Sequence, residues 1–366
     1  MVRVLHVVSG MNRAGLETFI MNVYRAIDRA QVQFDFLVHT KQKCDYDEEI
    51  LALGGKIYRI SSRKKGFLRN KKDLINFFKR HSMYQVIHHH APSLSYITPL
   101  KIAKRFGVPV RIIHAHSSST NRAVYEFFHQ WNKHAIRKYA NHSFACSDTA
   151  ARWFYGRAEK DYRIINNAID LHCFRFSANK RDKFRGEFNL RDKLVFGHVG
   201  RFVEVKNHTF LIEIFNEVCK KNSEAVLLLI GTGSLRLDVE AKVSCLGLES
   251  NVVFLGARAD MDCFYSAIDF FLLPSLYEGF PLVLVEAQAA GLSCAVSSTV
   301  CEQVQLTNRV KFFPLKASAE EWGSNLLDIG LYNREIDFNS LKISAFNARN
   351  VAEELTTHYL SWFKGR

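Results

Sequence analysis

At 366 residues, with 48% hydrophobic and 23% charged side chains, the chain has the length for two α/β domains of ordinary size and a composition that excludes intrinsic disorder. Its net charge of +14 is lopsided: residues 1–180 hold 30 Lys and Arg against 13 Asp and Glu, and the remainder holds 20 against 23. A basic first half attracts polyanions in general, so charge alone leaves nucleic acid, anionic lipid and pyrophosphate all open as partners.

The N-terminal MVRVLHVVSG reads as a first core strand that runs into a loop without a small-residue cleavage site, and no run of about 18 apolar residues follows, so neither export nor a spanning helix is expected. Strands are predicted at Val2–Val8, Phe34–His39, Gln85–His89, Arg111–His114 and His142–Ala145. A second series follows at Val195–Val199, Val226–Ile230, Val252–Leu255, Phe270–Leu273 and Ser293–Val296. Their alternation with helical stretches predicts parallel sheets covered by helices on both faces. The polar stretch Ser177–Lys193 carries no strand signal and is where the domain linker is expected. The fold class is therefore α/β, with Rossmann-like doubly wound domains over 1–176 and 194–340 and sites at strand carboxyl ends facing a cleft. Beyond them, Leu341, Phe346, Val351, Leu355, Tyr359 and Phe363 recur near the helical period and predict one or two packing helices. The eight cysteines form no C-x-x-C pair and read as reduced, mostly buried thiols of a cytoplasmic protein.

In LLPSLYEGFPLVLVEAQAAG a strand gives way to a loop, Pro281 stands where a first helical residue belongs, and Gly291 stands just past the helix end. Glu278 falls in the loop and Glu286 about one and a half turns into the helix, so both can face one crevice, with the amides around Gly279 and Phe280 at the positive helix end. Two glutamates alone read as solvated surface. Glu286, however, is flanked by Leu284, Val285 and Ala287 in a helix that should be buried, where an unpaired carboxylate costs several kcal/mol. After the first strand of the second domain, HVGRFVEVKN places Arg201 and Lys206 in a loop behind Gly200, where two cations can neutralise a pyrophosphate or stand as loose surface charges. GTGSLR follows the next strand with amides at Gly231 and Gly233 and with Arg236 behind them, a weak signal by itself.

In the first domain, SGMNRAGLET follows the first strand, and Gly10, Gly15 and Glu17 can form a loop approaching a phosphate before a helix that begins near Leu16, although the fingerprint is incomplete. HAHSSS places His114 and His116 at a strand end, where one imidazole can face the cleft or serve structure.

Together GRFVEVKN, GTGSLR, VVFLG and the glutamate pair of YEGFPLVLVEA resemble the GT-B glycosyltransferases of family 4, retaining enzymes that include many capsule and exopolysaccharide transferases. The resemblance implies that Arg201 and Lys206 stabilise a leaving diphosphate, Glu286 binds ribose hydroxyls, and Glu278 holds the donor sugar with the amides of Gly279 and Phe280. It adds Gly200, Gly231, Gly233, Arg236, Arg258, Pro281 and Leu282 to the donor side and has Gly15 close over the phosphates from the opposite domain. His116, rather than His114, matches the acceptor-side histidine, and residues 341–366 are expected to cross back to the N-terminal domain. Asn167-Ala168 stands where the family has an asparagine-glycine turn, and Arg13-Ala14 where a second glycine is common. The implied donor is a nucleotide-sugar, with UDP its nucleotide, and the implied acceptor a polyprenyl-diphosphate-linked saccharide. No Asp-x-Asp pair stands at a strand end, so neither metal nor cofactor is expected.

The stretch SSRKKGFLRNKKDLINFFKRH has eight basic residues and one acid, interleaved with Phe67, Leu68, Leu74, Ile75, Phe77 and Phe78. It reads either as a basic amphipathic helix lying on an anionic membrane over Arg63–Arg80, or as a core-facing stripe with a solvated basic face. Three rival functions are a non-catalytic partner subunit, a nucleotide-sugar epimerase and a nucleic-acid-binding module. The retained set Arg201, Lys206, Glu278 and Glu286 argues against the first and the spacing of the glutamates against the second. The third lacks any recognised module motif, so no nucleic-acid partner is expected.

Overall fold

A computed structural model describes residues 1–63, 66–117, 123–156, 161–278, 280–331 and 333–364. The chain divides into two compact units, Met1–Ile169 with Ala345–Arg366, and Asp170–Ser344.

The first unit holds a seven-stranded parallel sheet formed by β1 (Val2–Val8), β2 (Val32–Val38), β3 (Ile57–Arg59), β4 (Val86–Ala91), β5 (Val110–Ala115), β6 (His142–Ala145) and β7 (Arg163–Ile164), in the order β3-β2-β1-β4-β5-β6-β7. Strand order reverses direction between β1 and β4, the switch point where such sheets open a crevice. The helix Gly15–Ala26 buries Phe19, Ile20, Met21, Val23 and Tyr24 on one face of the sheet. The last helix, Ala348–Lys364, lies beside it and buries Val351, Ala352, Leu355 and Tyr359 in the same cluster. The stripe expected over 339–364 is thus two helices, Leu341–Ser344 in the second unit and Ala348–Lys364 in the first, and Phe363 is exposed rather than packed.

On the opposite face the helix Phe67–Arg80 buries Asn70, Leu74, Phe77 and Phe78. Of the two readings of this basic segment, the helix body therefore follows the core-facing one. Phe67 and Leu68, in its first turn, are exposed.

The second unit is a six-stranded parallel sheet of β8 (Val195–Val199), β9 (Val226–Ile230), β10 (Val252–Gly256), β11 (Phe270–Leu273), β12 (Ser293–Ser297) and β13 (Val310–Phe313), in the order β10-β9-β8-β11-β12-β13. Its switch point lies between β8 and β11. The stretch expected as a linker, 177–193, begins with the helix Ala178–Glu187, capped by the Ser177 hydroxyl and packed against the helix Met261–Ala267. Asp269 holds it in place: its carboxylate accepts from Arg181 at 3.0 Å, from the buried Arg185 at 2.6 Å and from the Val195 amide at 2.9 Å. That charge pairing is why a sequence without strand signal belongs to the second unit's body.

The edge strands β3, β7 and β13 were not among the predicted ones, being two to four residues long with Arg59, Arg163 or Lys311 in them. All eight cysteines are unpaired thiols, but only Cys44, Cys146 and Cys294 are buried, so the expectation of mostly buried thiols is corrected. Among the described residues no helix is long and apolar enough to cross a membrane.

Candidate functional site

In the second unit the chain leaves β8 through Gly200–Asn207 and leaves β11 through Pro274–Pro281, so two loops from adjacent strands meet at the switch point. They are tied together by backbone. Asn207, in the left-handed region at φ 55°, heads the helix His208–Lys221 and donates its side-chain amide to the Pro274 carbonyl at 3.1 Å. The Leu276 amide donates to the Val205 carbonyl at 2.8 Å. On this frame Lys206 Nζ donates to Glu278 Oε1 at 2.5 Å, and Ser275 Oγ donates to the same oxygen at 3.0 Å. The Ser275 carbonyl is itself fixed by the hydroxyls of Ser297 and Thr299. The two charged side chains are 17% and 16% exposed, sheltered enough to strengthen the pairing yet reachable by a ligand. Arg201 is exposed and has no carboxylate partner among the described residues.

The glycines of this region are explained first by close packing of backbones. A Cβ at Gly231 would stand 1.9 Å from the Gly200 carbonyl oxygen, and one at Gly233 would stand 2.4 Å from that of Phe202. One at Gly200 would stand 2.8 Å from the His198 ring. The Gly231 amide, counted on the donor side, donates to the Gly256 carbonyl at 2.9 Å.

Two expected donor-side arginines are engaged elsewhere. Arg236 bonds Glu240 one helical turn on, at 2.7 Å. Arg258 lies beyond the edge strand β10, clamps Asp260 through two bonds of 2.8 and 2.7 Å, and lies over the rings of Phe184 and Phe188.

Pro281 is the N-cap of the helix Leu282–Ala289, one position earlier than expected, and Gly291 ends the element at φ 70°. Phe280 and Leu282 are half-buried beside it, and Gly279 lies outside the described residues. Glu286 keeps some surface, yet its carboxyl is deep enough that burial pushes its pKa up to about 7, against a countervailing hydrogen bond from Tyr265 Oη at 2.8 Å. Glu278 and Glu286 therefore have separate partners. Tyr265 was not singled out in the sequence. The available signal was only that a tyrosine in an otherwise buried helix needs a partner for its hydroxyl.

In the first unit, Gly15 begins the helix Gly15–Ala26, and a Cβ there would meet nothing within 4 Å. His116 follows β5 as one member of a ladder of five histidines. His6, His88, His90 and His114 alternate along β1, β4 and β5 on one side of the sheet. His6 Nδ1 pairs with His90 Nε2 and His90 Nδ1 with His116 Nε2, both at 2.9 Å. His88 Nε2 pairs with His114 Nδ1 at 3.1 Å, and His88 Nδ1 with the Tyr359 hydroxyl at 2.7 Å. Burial lowers the pKa of every member, His6 and His116 to about 3, so the rings are neutral and alternate as donor and acceptor. The triads His6–His88–His90 and His90–His114–His116 have nitrogens within 4.8 Å of one another and are the described groups with metal-ligand proximity. Most of those nitrogens already bond one another. The i, i+2 spacing in HHH and HAH was the signal for this ladder.

Residues 13–172 match the model of Glycosyltransferase Family 4, and residues 193–327 match that of Glycosyl transferases group 1. EpsF of Bacillus subtilis is 36% identical over 318 residues, covering 82% of this chain and 80% of that protein. The chain is a family 4 glycosyltransferase.

A second relative of this glycosyltransferase, the Escherichia coli UDP-Gal:α-D-GlcNAc-diphosphoundecaprenol α-1,3-galactosyltransferase, is 26% identical and covers 95% of the chain and 90% of its own. Among solved structures, Anabaena HepE in complex with UDP and glucose superposes with a TM-score of 0.73 at 16% identity, covering 99% of this chain and 98% of that one. A Rickettsia africae glycosyltransferase superposes at 0.79 with 14% identity, over 100% and 99% of the two chains. These likenesses establish the GT-B fold.

Proposed function

We propose that this glycosyltransferase moves a hexose or N-acetylhexosamine from a UDP-sugar to a polyprenyl-diphosphate-linked saccharide, with retention at the anomeric carbon, in exopolysaccharide or capsule biosynthesis. The observation that carries the reading is the convergence of Arg201, Lys206 and Glu278 on the loops that leave β8 and β11, the switch point of the second unit. The E. coli relative, whose name gives both a UDP-sugar donor and a diphosphoundecaprenol acceptor, supports it.

As the anomeric C–O bond breaks, its electron pair goes to the departing diphosphate, and fixed cations stabilise that charge most when they need no reorganisation. Arg201 and Lys206 are assigned that task, with Glu278 fixing the Lys206 ammonium and receiving a sugar hydroxyl. Glu286 accepts from the ribose hydroxyls, with Phe280 and Leu282 bordering it and Gly200 letting the chain pass close behind Lys206. His116 is assigned to the acceptor side. With two cations on the diphosphate, the reaction is assigned no metal.

A thermal-shift panel of UDP, GDP, ADP and their sugar conjugates on wild type and Glu286→Ala tests the donor assignment. A ligand at 100 times its Kd stabilises by about 2.7 kcal/mol. One nucleotide should raise the melting temperature, and Glu286→Ala should abolish the rise. If no nucleotide shifts the folded protein, the chain is a non-catalytic partner subunit instead.

A further inference from the structure

The first unit carries two adjoining hollows of opposite character. One, of about 630 Å³, opens over the carboxyl ends of β1, β2 and β4 and includes Ser9, Thr40, Lys41, Arg69, His89 and Ser93 in its wall. The other, of about 550 Å³, runs between the first turn of the helix Phe67–Arg80 and the helix Ala123–Lys133, walled by Phe67, Ile97, Val124, Phe128 and Trp131. Arg63, Ser95 and Tyr96 line both. Among the described residues no aspartate or glutamate lines either hollow.

The apolar groove is walled by side chains left in water. Phe67 is 49% exposed, Val124 64%, Phe128 48% and Trp131 71%. A concentration of large exposed hydrophobes from two helices around one groove marks a binding surface. At the junction of the hollows the Arg63 guanidinium lies 4.8 Å from the centre of the Tyr96 ring and 5.4 Å from that of Tyr125. It has no carboxylate partner among the described residues. A guanidinium held over two aromatic rings and unmatched by an acid suits a diphosphate, which its planar fork can bond through two oxygens. Asp73 is the acid close enough to be felt by Lys41 and Arg69, and it accepts from the Ser61 amide.

We propose that the two hollows are one site for an amphiphile: the isoprenoid chain of a polyprenyl diphosphate lies in the groove, Arg63 holds the diphosphate, and the polar hollow takes the attached saccharide. This rests on the lipid-linked acceptor proposed above and gives that acceptor a place. Charge complementarity favours the occupant, since an anionic group would stand where the chain offers Arg63, Lys41 and Arg69 and no lining acid.

The test uses the full chain and farnesyl diphosphate, a water-soluble isoprenoid diphosphate, with binding measured by calorimetry beside farnesol and inorganic diphosphate. The expected result is that farnesyl diphosphate binds, that each half-molecule binds at least about tenfold more weakly, and that Arg63→Ala weakens the whole ligand by about tenfold or more. Trp131→Ser, at a position that is 71% exposed, should weaken it as well, and Arg63→Lys should recover part of the Arg63→Ala loss. Equal binding of inorganic diphosphate, or a farnesyl diphosphate affinity indifferent to both Arg63→Ala and Trp131→Ser, overturns the proposal. So does a protein that ignores farnesyl diphosphate but sediments with phosphatidylglycerol vesicles through Trp131, since the groove would then meet a bilayer. UDP binding measured on the same samples separates the two readings: UDP bound without farnesyl diphosphate removes the amphiphile site alone, and farnesyl diphosphate bound without UDP removes the donor reading alone.

Discussion

Lys206 and Glu278 hold one another at 2.5 Å across the loops that follow β8 and β11, and Ser275 holds the same carboxylate oxygen. A lysine is a flexible four-carbon stem, and a partner that fixes its ammonium removes the reorganisation that would otherwise accompany charge development on a leaving group. On the proposed reading both members count for turnover, Lys206 directly and Glu278 through the lysine and the sugar.

The first prediction follows from that pair. Lys206→Ala should lower kcat by about two orders of magnitude or more. Glu278→Gln, which keeps the shape and loses the charge, should lower it less and should change little further when added to Lys206→Ala, because the two act as a unit. Steady-state kinetics on the two single variants and the double variant check this. Near-normal turnover in a folded Lys206→Ala protein removes Lys206 from the diphosphate site.

Glu286 gives the second. Burial raises its carboxyl to about 7 from an ordinary 4.5, and the Tyr265 hydroxyl bond works in the opposite direction. The native state thus holds the proton more tightly than the unfolded chain does. The group's contribution to stability is full below pH 4.5 and is lost as pH rises through about 7. Glu286→Gln should flatten the decline in melting temperature across that window, and Tyr265→Phe should move its end upwards. Donor affinity should run the other way, strengthening as pH rises through 7, because the carboxylate accepts from two hydroxyls while the protonated acid also carries a donor. Melting curves and UDP titrations between pH 5 and 8 read both. A melting profile that Glu286→Gln leaves unaltered shows that Glu286 does not titrate there.

The sheets were legible in the sequence because most interior strands are short, largely apolar runs bounded by turn residues, as in VRVLHVV of β1 and VLLLI of β9. The second-unit motifs were legible because Gly200, Arg201, Lys206, Glu278 and Glu286 sit in contiguous loop-and-helix segments. What stayed hidden depends on residues distant in sequence. The bond between Tyr265 and Glu286 spans 21 positions, and the one between His88 and Tyr359 spans 271. Asp269, the residue before β11, draws in Arg181 and Arg185 and so turns the expected linker into part of a domain. Gly231 and Gly233 were a weak signal because glycine in a loop after a strand has two causes, and sequence does not separate ligand approach from the backbone approach found here.

The histidine ladder gives the third prediction. The pKa values of His6 and His116 fall to about 3, and those of His88, His90 and His114 lie well below the ordinary 6.5, because burial disfavours charge. With folded values below unfolded ones, their contribution to stability is complete above pH 6.5 and is lost as pH falls from there towards 3. Each histidine kept neutral adds a slope of about 1.4 kcal/mol per pH unit in that window. Denaturant unfolding at several pH values should therefore show a steep acid limb, and replacing one member, as in His90→Leu, should reduce that limb by about one proton whatever it does to stability at pH 8. An unchanged slope means that the histidine was already protonated in the folded protein.

Two glycines that the sequence treats alike make the fourth. Gly231 has a positive φ of 147°, and a Cβ on it would stand 1.9 Å from the Gly200 carbonyl oxygen, which is backbone and has no rotamer to move. Gly231→Ala should destabilise the second unit by more than about 2 kcal/mol, through both strain and overlap. Gly15 is the first residue of its helix, has no positive φ, and would present a Cβ to open space. Gly15→Ala should leave stability equal or raise it by about 0.4–1 kcal/mol, since alanine loses less freedom on folding. Packing thus gives no reason for Gly15, which the family resemblance expects to close over the donor phosphates. Transfer activity decides it: a stable Gly15→Ala protein with reduced turnover assigns Gly15 to substrate, and one with full turnover assigns it to neither substrate nor fold.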